Sequence, residues 1–109
     1  MKVRNLGNSK GKSGRAVVNQ FVIEDGDRKV FQSYDSTIVE VKWHTGLCEV
    51  NIGYDWDYSR TTSKYFKIFL MDEVGFTDEE VEQIKKELRK GHNYILVNRF
   101  IIHYCEDMR

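Results

Sequence analysis

Apolar and polar side chains alternate along part of the first half of the chain. Within residues 37–43, Val39, Val41 and Trp43 fall on one face and charged residues fall on the other, which is the period-two pattern of a half-buried strand. Residues 47–52 repeat the alternation. A turn that ends in glycine separates the two segments, so they predict a β-hairpin.

Two more strands are predicted upstream of this hairpin. Residues 15–24 and 29–34 are rich in β-branched and aromatic residues. Asp25-Gly26-Asp27 lies between them and suits a hairpin turn, because glycine adopts positive φ at little cost. The first half is therefore predicted to form a four-stranded antiparallel meander. Residues 1–14 hold three glycines and few apolar side chains, so we expect a flexible basic arm there.

The period changes to that of a helix after a loop predicted over residues 53–58. Apolar residues between Tyr65 and Leu70 form one stripe at helical spacing. We therefore predict a first helix over residues 59–74. Gly75 is placed to end it, because a helix commonly closes on a glycine in the left-handed conformation.

A second helix carries a complete start signal. Thr77 is placed as the N-cap and Glu80 at the third helical position, which is a capping box, and Phe76 can pack on Val81 across the first turn. Acidic residues gather in the first turn and basic residues in the last, as the helix dipole favours. Gly91 is placed to end this helix.

The end of the chain leaves two interpretations open. Residues 93–105 are rich in apolar residues and predict either one strand or a bent pair of strands. We therefore expect an α+β fold, an antiparallel sheet of about five strands with two α-helices packed on one face. Residues 15–109 are expected to form a single domain.

Composition narrows the class of protein. The chain has 109 residues, 17 basic and 17 acidic side chains and a net charge of zero, which favours one folded domain over a disordered chain. No apolar run approaches the roughly 20 residues that span a bilayer, and no signal peptide is evident. Two cysteines are too few for a disulfide framework. We expect a cytoplasmic protein.

The strongest candidate for function lies at the start of the first helix. This segment concentrates aromatic rings, hydroxyl groups and cations where helical N–H groups are unpaired. Such a set can bind a partner protein, or stack on bases and contact phosphates of a single-stranded nucleic acid. The candidate residues are Trp56, Tyr58, Ser59, Arg60, Thr61, Thr62 and Lys64.

The acidic side of the second helix is a second candidate surface. Glu79, Glu80 and Glu82 lie in its first turns and could present negative charge to a basic groove on a partner. A solvated helix face explains the same pattern. The sequence leaves the oligomeric state open.

Catalytic and metal-binding interpretations have weaker support. Residues 7–13 resemble a phosphate-binding P-loop, but three residues separate the glycines instead of four, and a predicted strand follows. His44 with Cys48, and His103 with Cys105, lack zinc-finger spacing. No serine lies in a nucleophile-elbow context. We expect no enzymatic activity, no metal and no cofactor.

The chain resembles a group of small proteins of unknown function encoded by bacteriophages and mobile elements. Four segments carry the resemblance, and the match spans about residues 6–70: residues 13–23 with Asn-Gln-Phe, 31–39 with Phe-Gln-Ser-Tyr, 55–65 with Trp-Asp-Tyr-Ser-Arg-Thr-Thr-Ser-Lys-Tyr, and 69–70. The resemblance brings no catalytic residue.

What the resemblance implies is a context. Small phage accessory proteins often bind a host machine, and inhibitors of CRISPR–Cas and other defence systems are among them. We therefore expect a non-enzymatic accessory protein that binds a host macromolecule, such as a defence nuclease. The alternative is a protein that binds single-stranded nucleic acid.

Overall fold

The described residues contain one mixed sheet of seven strands and two α-helices. The structure is a computed structural model and describes residues 1–6 and 17–105. The strands are β1 (Lys2–Asn5), β2 (Gln20–Asp25), β3 (Arg28–Ser33), β4 (Ser36–His44), β5 (Leu47–Gly53), β6 (Tyr94–Val97) and β7 (Phe100–Cys105), and the helices are α1 (Arg60–Phe69) and α2 (Asp78–Arg89). The fold is α+β, as predicted.

The sheet combines an antiparallel meander with one parallel pair. Strands β1 to β5 pair in chain order and are all antiparallel. Strand β7 then pairs parallel to β5, and β6 forms the outer edge antiparallel to β7. A parallel neighbour needs a long crossover connection, and both helices lie in the segment that joins β5 to the final hairpin.

The crossover segment has four helical pieces. A 3₁₀ helix (Tyr54–Asp57) follows β5 directly and leads into α1. A π-helical turn (Leu70–Val74) extends α1 and ends at Gly75, whose φ of 104° is left-handed. The sequence pattern predicted one continuous helix over this stretch, because a single π turn changes the spacing of the apolar stripe little.

The capping box of α2 is confirmed. The Thr77 N–H donates to Glu80 Oε1 at 2.9 Å, and the Glu80 N–H donates to Thr77 Oγ1 at 3.1 Å. Two unpaired N–H groups of this helix end are thereby satisfied. The helix ends at Arg89, and Gly91 follows with a φ of 79°.

The core lies on one face of the sheet. Directly opposite residues of neighbouring strands point to the same face, and the register places Phe31, Val39 and Ile52 in one row across three strands. These side chains belong to one buried cluster with residues of both helices. The rings of Phe31 and Phe69 stack with their centroids 5.5 Å apart.

The predicted number of about five strands is wrong for two reasons. Lys2–Asn5 form strand β1, although this segment was expected to be part of a flexible arm. Of the two interpretations of residues 93–105, the bent pair of strands is the one observed, because Asn98 takes a φ of 54° and turns the chain. The rest of the predicted arm, and the P-loop-like residues 7–13, lie outside the described residues.

Strand β1 is held to the sheet by a buried carboxylate. Arg4 Nη1 and Nη2 donate to Glu73 at 3.1 and 2.6 Å, and Lys29 Nζ donates to the same carboxylate at 3.1 Å. The Glu73 side chain is only 2% exposed. The hydrogen bond to Glu73 is the main cause that raises the pKa of Arg4. These contacts explain why Arg4, near the start of the chain, lies in a strand.

Replacing the buried carboxylate tests its role in stability. We expect Glu73→Gln to lower the free energy of unfolding by about 2–3 kcal/mol, because Arg4 and Lys29 would lose the charge that compensates their desolvation. The control is Glu82→Gln, which breaks an exposed ion pair with Lys67 and should cost less than about 1 kcal/mol. Urea denaturation measures both values, and equal losses would contradict the assignment.

Burial of the Cys48 thiol should make the stability of the protein depend on pH. Cys48 is buried, and burial raises its pKa from 9.0 to about 11. Because the folded-state pKa lies above the unfolded value, its contribution to stability is present below pH 9 and is lost as pH rises through 11. A Cys48→Ala variant should lose less stability than the wild type between these pH values, as measured by urea denaturation. A parallel loss in both proteins would exclude the contribution.

Candidate functional site

Part of the predicted docking surface belongs to the core. Trp56 is 1% exposed, its indole N–H donates to the Tyr104 hydroxyl at 3.2 Å, and its ring lies 5.1 Å from that of Phe66. The 3₁₀ helix directs Trp56 inward, where it supports the junction between β5 and α1. Thr62 is also buried. The Trp56 side chain is therefore not available to contact a partner.

Ser59 serves the helix start. Its Oγ accepts the Thr62 N–H at 3.1 Å, which makes it the N-cap of α1. Its hydroxyl also donates to Thr62 Oγ1 at 3.2 Å, and Thr62 Oγ1 lies 3.1 Å from Ser33 Oγ. These hydroxyls link the first turn of α1 to the end of β3.

The remaining candidates lie at the surface. Tyr58 is 80% exposed, and Arg60, Thr61 and Lys64 are exposed on α1. The Lys64 ammonium lies 5.3 Å from the centre of the Tyr65 ring. The structure therefore separates the seven predicted residues into a buried support and an exposed group that contains one aromatic ring and two cations.

The acidic residues of α2 are largely engaged within the protein. Glu80 is used in the capping box, and its Oε2 also accepts the Asn98 amide at 2.6 Å. Glu82 accepts from Lys67 at 3.0 Å, and this hydrogen bond is the main cause that lowers its pKa. Lys67 also contacts Asp78. Glu79 is exposed, so the three predicted residues do not act as one unpaired acidic face.

A cleft opens beside the start of α1. Its volume is about 490 Å³, within the range of sites that hold small ligands or single side chains. The β3–β4 turn, the 3₁₀ helix and the first turns of α1 supply its walls. Its lining residues are Ser33, Tyr34, Asp35, Ser36, Ile38, Asp55, Tyr58 and Thr62.

The sequence places these elements together through the order of the strands. β3, β4 and β5 are consecutive and antiparallel, so the end of β3, the start of β4 and the end of β5 meet at one end of the sheet. A β-bulge in β4 inserts Ile38 between Thr37 and Val39 of the ladder. Both Ile38 and Val39 are buried, which gives the cleft an apolar lining residue.

Tyr34 is fixed in an unusual backbone conformation. Its φ of 54° is left-handed, which is uncommon for an aromatic residue. Its N–H donates to the Asn19 carbonyl at 2.7 Å, and its carbonyl accepts the Gln32 amide at 2.8 Å. The surrounding backbone therefore sets the direction of a half-exposed ring at the rim of the cleft.

The chemistry of the lining selects against anions. Two exposed carboxylates, Asp35 and Asp55, face the cleft together with two exposed tyrosines. Among the residues that the structure describes, the lining includes no lysine, arginine or histidine. Carboxylates and aromatic faces both attract a cation. Hydroxyls of Ser33 and Ser36 supply further hydrogen-bond partners. The cleft suits a cation or a planar group rich in donors.

The cysteines and histidines are not gathered into a metal site in the described part of the chain. His44 and Cys48 lie on opposite faces of the sheet, because Cys48 pairs with Trp43. His103 and Cys105 share a face, and the Cys105 thiol lies 4.0 Å from Asn51 Oδ1. Within residues 1–6 and 17–105, no three His, Cys, Asp or Glu side chains are arranged to hold a metal ion. Among the same residues, no helix combines the length and apolar character needed to cross a bilayer.

Comparison with known proteins identifies a family and no function. No curated protein and no solved structure gives a significant match to the chain. A family of unknown function, DUF8033, matches residues 1–88. That range includes every residue of the cleft and ends in α2, before the β6–β7 hairpin. Since the match covers most of the chain, this protein belongs to the DUF8033 family.

Proposed function

We propose that this protein is a non-enzymatic binding protein that receives an arginine side chain of a partner protein in the cleft beside α1. The observation that carries the proposal is the described part of the lining, which sets two carboxylates and two tyrosines around about 490 Å³ and contains no cationic side chain. The partner's cation would compensate the two carboxylates.

Arginine fits this lining better than lysine. A guanidinium group is planar, stacks on aromatic rings and carries five N–H donors. Asp35 and Asp55 offer charged acceptors, and the hydroxyls of the lining offer neutral ones. The ammonium of lysine could use the carboxylates, but it would leave the tyrosine faces with a weaker stacking contact.

Tyr58 is the expected anchor of the interface. A tyrosine that is 80% exposed in the isolated protein can bury a large area on binding at low cost in conformational entropy. Tyrosine and arginine are the residue types enriched at the energetic centres of protein interfaces. The pairing of a tyrosine rim with an incoming arginine follows this pattern.

The biological setting in the proposal comes from the sequence resemblance. A phage-type accessory protein would meet its partner in the host cytoplasm, and an inhibitor of a defence system such as CRISPR–Cas would bind a nuclease. Such nucleases expose many arginines along their nucleic-acid channels, because these contact phosphates. We place the contact in the cleft and not on α2, since Glu80 and Glu82 are engaged within the protein.

The sheet is proposed to act as the scaffold for this site. We infer that both helices cover the same face, because the buried strand residues that cluster with them share that face by register. The support extends to the cleft through Trp56, which packs on Phe66 and bonds to Tyr104. Rigid support of this kind keeps the cost of ordering low on binding.

An arginine-containing peptide and its citrulline counterpart test the proposal. Citrulline keeps the shape of arginine and removes its charge. We expect the arginine peptide, and not the citrulline peptide, to shift NMR amide signals of the cleft residues. The double variant Asp35→Asn/Asp55→Asn should bind at least about tenfold more weakly, which corresponds to about 1.4 kcal/mol.

The β2–β3 turn supplies the matched control. Asp25 and Asp27 are an exposed acidic pair in that turn, at the opposite end of the sheet from the cleft. Asp25→Asn/Asp27→Asn makes the same change in net charge and should leave binding unaltered. Equal binding of citrulline, or equal weakening by both double variants, would overturn the proposal.

Single-stranded nucleic acid is the second candidate ligand. The observation in its favour is the exposure of Tyr58, Arg60 and Lys64 at the start of α1, which combines a stacking ring with two cations. The burial of Trp56 removes one of the two stacking rings in the predicted set. Asp35 and Asp55 would also repel phosphates close to Tyr58.

Oligonucleotide binding separates the two candidates. If nucleic acid is the ligand, fluorescence anisotropy of a labelled single strand should rise with protein concentration, and affinity should fall steeply with salt. Arg60→Gln/Lys64→Gln should then abolish the rise, whereas Lys86→Gln/Lys90→Gln at the exposed end of α2 should not. Since we favour a protein partner, we expect no rise in anisotropy at low salt, and a salt-sensitive rise would reverse this preference.

A further inference from the structure

The outer edge of the sheet at β6 has the features of a pairing strand. β6 is the terminal strand of the order β1-β2-β3-β4-β5-β7-β6, and no described strand pairs with its outer side. Its four residues are Tyr-Ile-Leu-Val, with no charge and no proline. Natural edge strands are usually protected from pairing by charged residues, by proline or by a bulge. The register of β6 with β7 shows no bulge.

The backbone of β6 offers its free hydrogen-bonding groups at two positions. The Asn93 carbonyl accepts the Tyr104 N–H at 3.0 Å, so the backbone groups of Asn93 point toward β7. These groups alternate in direction along a strand. Those of Ile95 therefore also point toward β7, and those of Tyr94 and Leu96 point away from the sheet.

The side chains at the same two positions are apolar and exposed. Tyr94 is 55% exposed and Leu96 is 64% exposed. Through their pairs His103 and Ile101 on β7, both lie on the face opposite the core. Ile95 lies on the core face and is buried. The edge therefore presents unpaired backbone groups and exposed apolar side chains together.

We propose that β6 pairs antiparallel with β6 of a second copy of this chain, about a two-fold axis at Ile95. In this register Tyr94 lies opposite Leu96 of the second copy. Each of the two Tyr94–Leu96 pairs exchanges two N–H···O=C bonds, which uses the outward backbone groups at both positions. Ile95 lies opposite itself, and all side chains keep their face of the sheet.

Self-pairing is favoured over a different strand by charge. β6 carries no charged residue, so a two-fold axis through it brings no like charges into opposition within the strand. Tyr94 against Leu96 is an aromatic–aliphatic pair on each side of the axis, which stabilises antiparallel strands. The other edge strand, β1, carries Lys2 and Arg4, and basic residues oppose edge pairing.

Sedimentation equilibrium of the full chain tests the proposal. We expect the apparent mass of the wild-type protein to rise to twice that of the monomer as the protein concentration is raised to about 1 mM. Small interfaces associate weakly, so the upper part of this range is needed. Leu96→Lys should weaken association at least tenfold (a factor of ten being about 1.4 kcal/mol), because it places a charge in each apolar cross-strand pair. A wild-type protein that stays monomeric over the whole range overturns the proposal.

Val3→Lys is the matched control for this substitution. Val3 is 58% exposed, lies on the other edge strand and faces the same side of the sheet. The Val3→Lys variant should dimerise like the wild type. If both variants lose association equally, the effect comes from net charge and the proposed interface is wrong.

A cysteine at the two-fold position tests the register without relying on affinity. Residues at a non-hydrogen-bonded antiparallel pair lie about 4.5 Å apart at Cα, within the range of a disulfide. Ile95→Cys should therefore form a dimer on oxidation that a reducing agent separates, and circular dichroism verifies folding. Tyr94→Cys would not meet its own copy and should cross-link far less. Equal cross-linking of the two variants overturns this register.

Discussion

The parallel pairing of β5 with β7 is the constraint on which the rest of this structure depends. Antiparallel neighbours can be joined by tight turns, whereas a parallel neighbour requires the chain to return along the length of the sheet. The return passes through the 3₁₀ helix, α1, the π-helical turn and α2, whose buried residues join those of the strands in one cluster. The same requirement starts the crossover at the end of β5, where the cleft forms.

Local signals in the sequence were sufficient where each element carries its own start, end and period. Thr77 and Glu80 identify the start of α2 because the capping box is confined to four consecutive residues. The meander from β2 to β5 was predicted from β-branched and aromatic residues, from alternation in β4 and β5, and from two turns that contain glycine. β1 escaped prediction because the carboxylate that compensates Arg4 comes from Glu73, 69 residues away. The sequence did not distinguish the final hairpin from a single strand, because Asn98, and not glycine, takes the left-handed turn position.

The candidate site was predicted in part, for a similar reason. Concentrated polar chemistry drew attention to the start of α1, and Tyr58 and Ser59 do lie there. The sequence could not show that the 3₁₀ helix turns Trp56 inward. Tyr34 and Asp35 contribute to the cleft because the β3–β4 turn lies beside the start of the crossover. No local sequence pattern indicates this proximity. Sites assembled from distant segments need the pairing of the strands before their members can be chosen.

We expect the anchor of β1 to form late in folding. Hydrogen bonds to β2 are close in sequence, but the carboxylate that fastens Arg4 sits in the π-helical turn and exists only after the crossover has formed. Contacts of large sequence separation are made late, because the entropy of closing the intervening loop must be overcome first. We therefore expect the ion pairs that fasten β1 to form only when the crossover between β5 and β6 is in place.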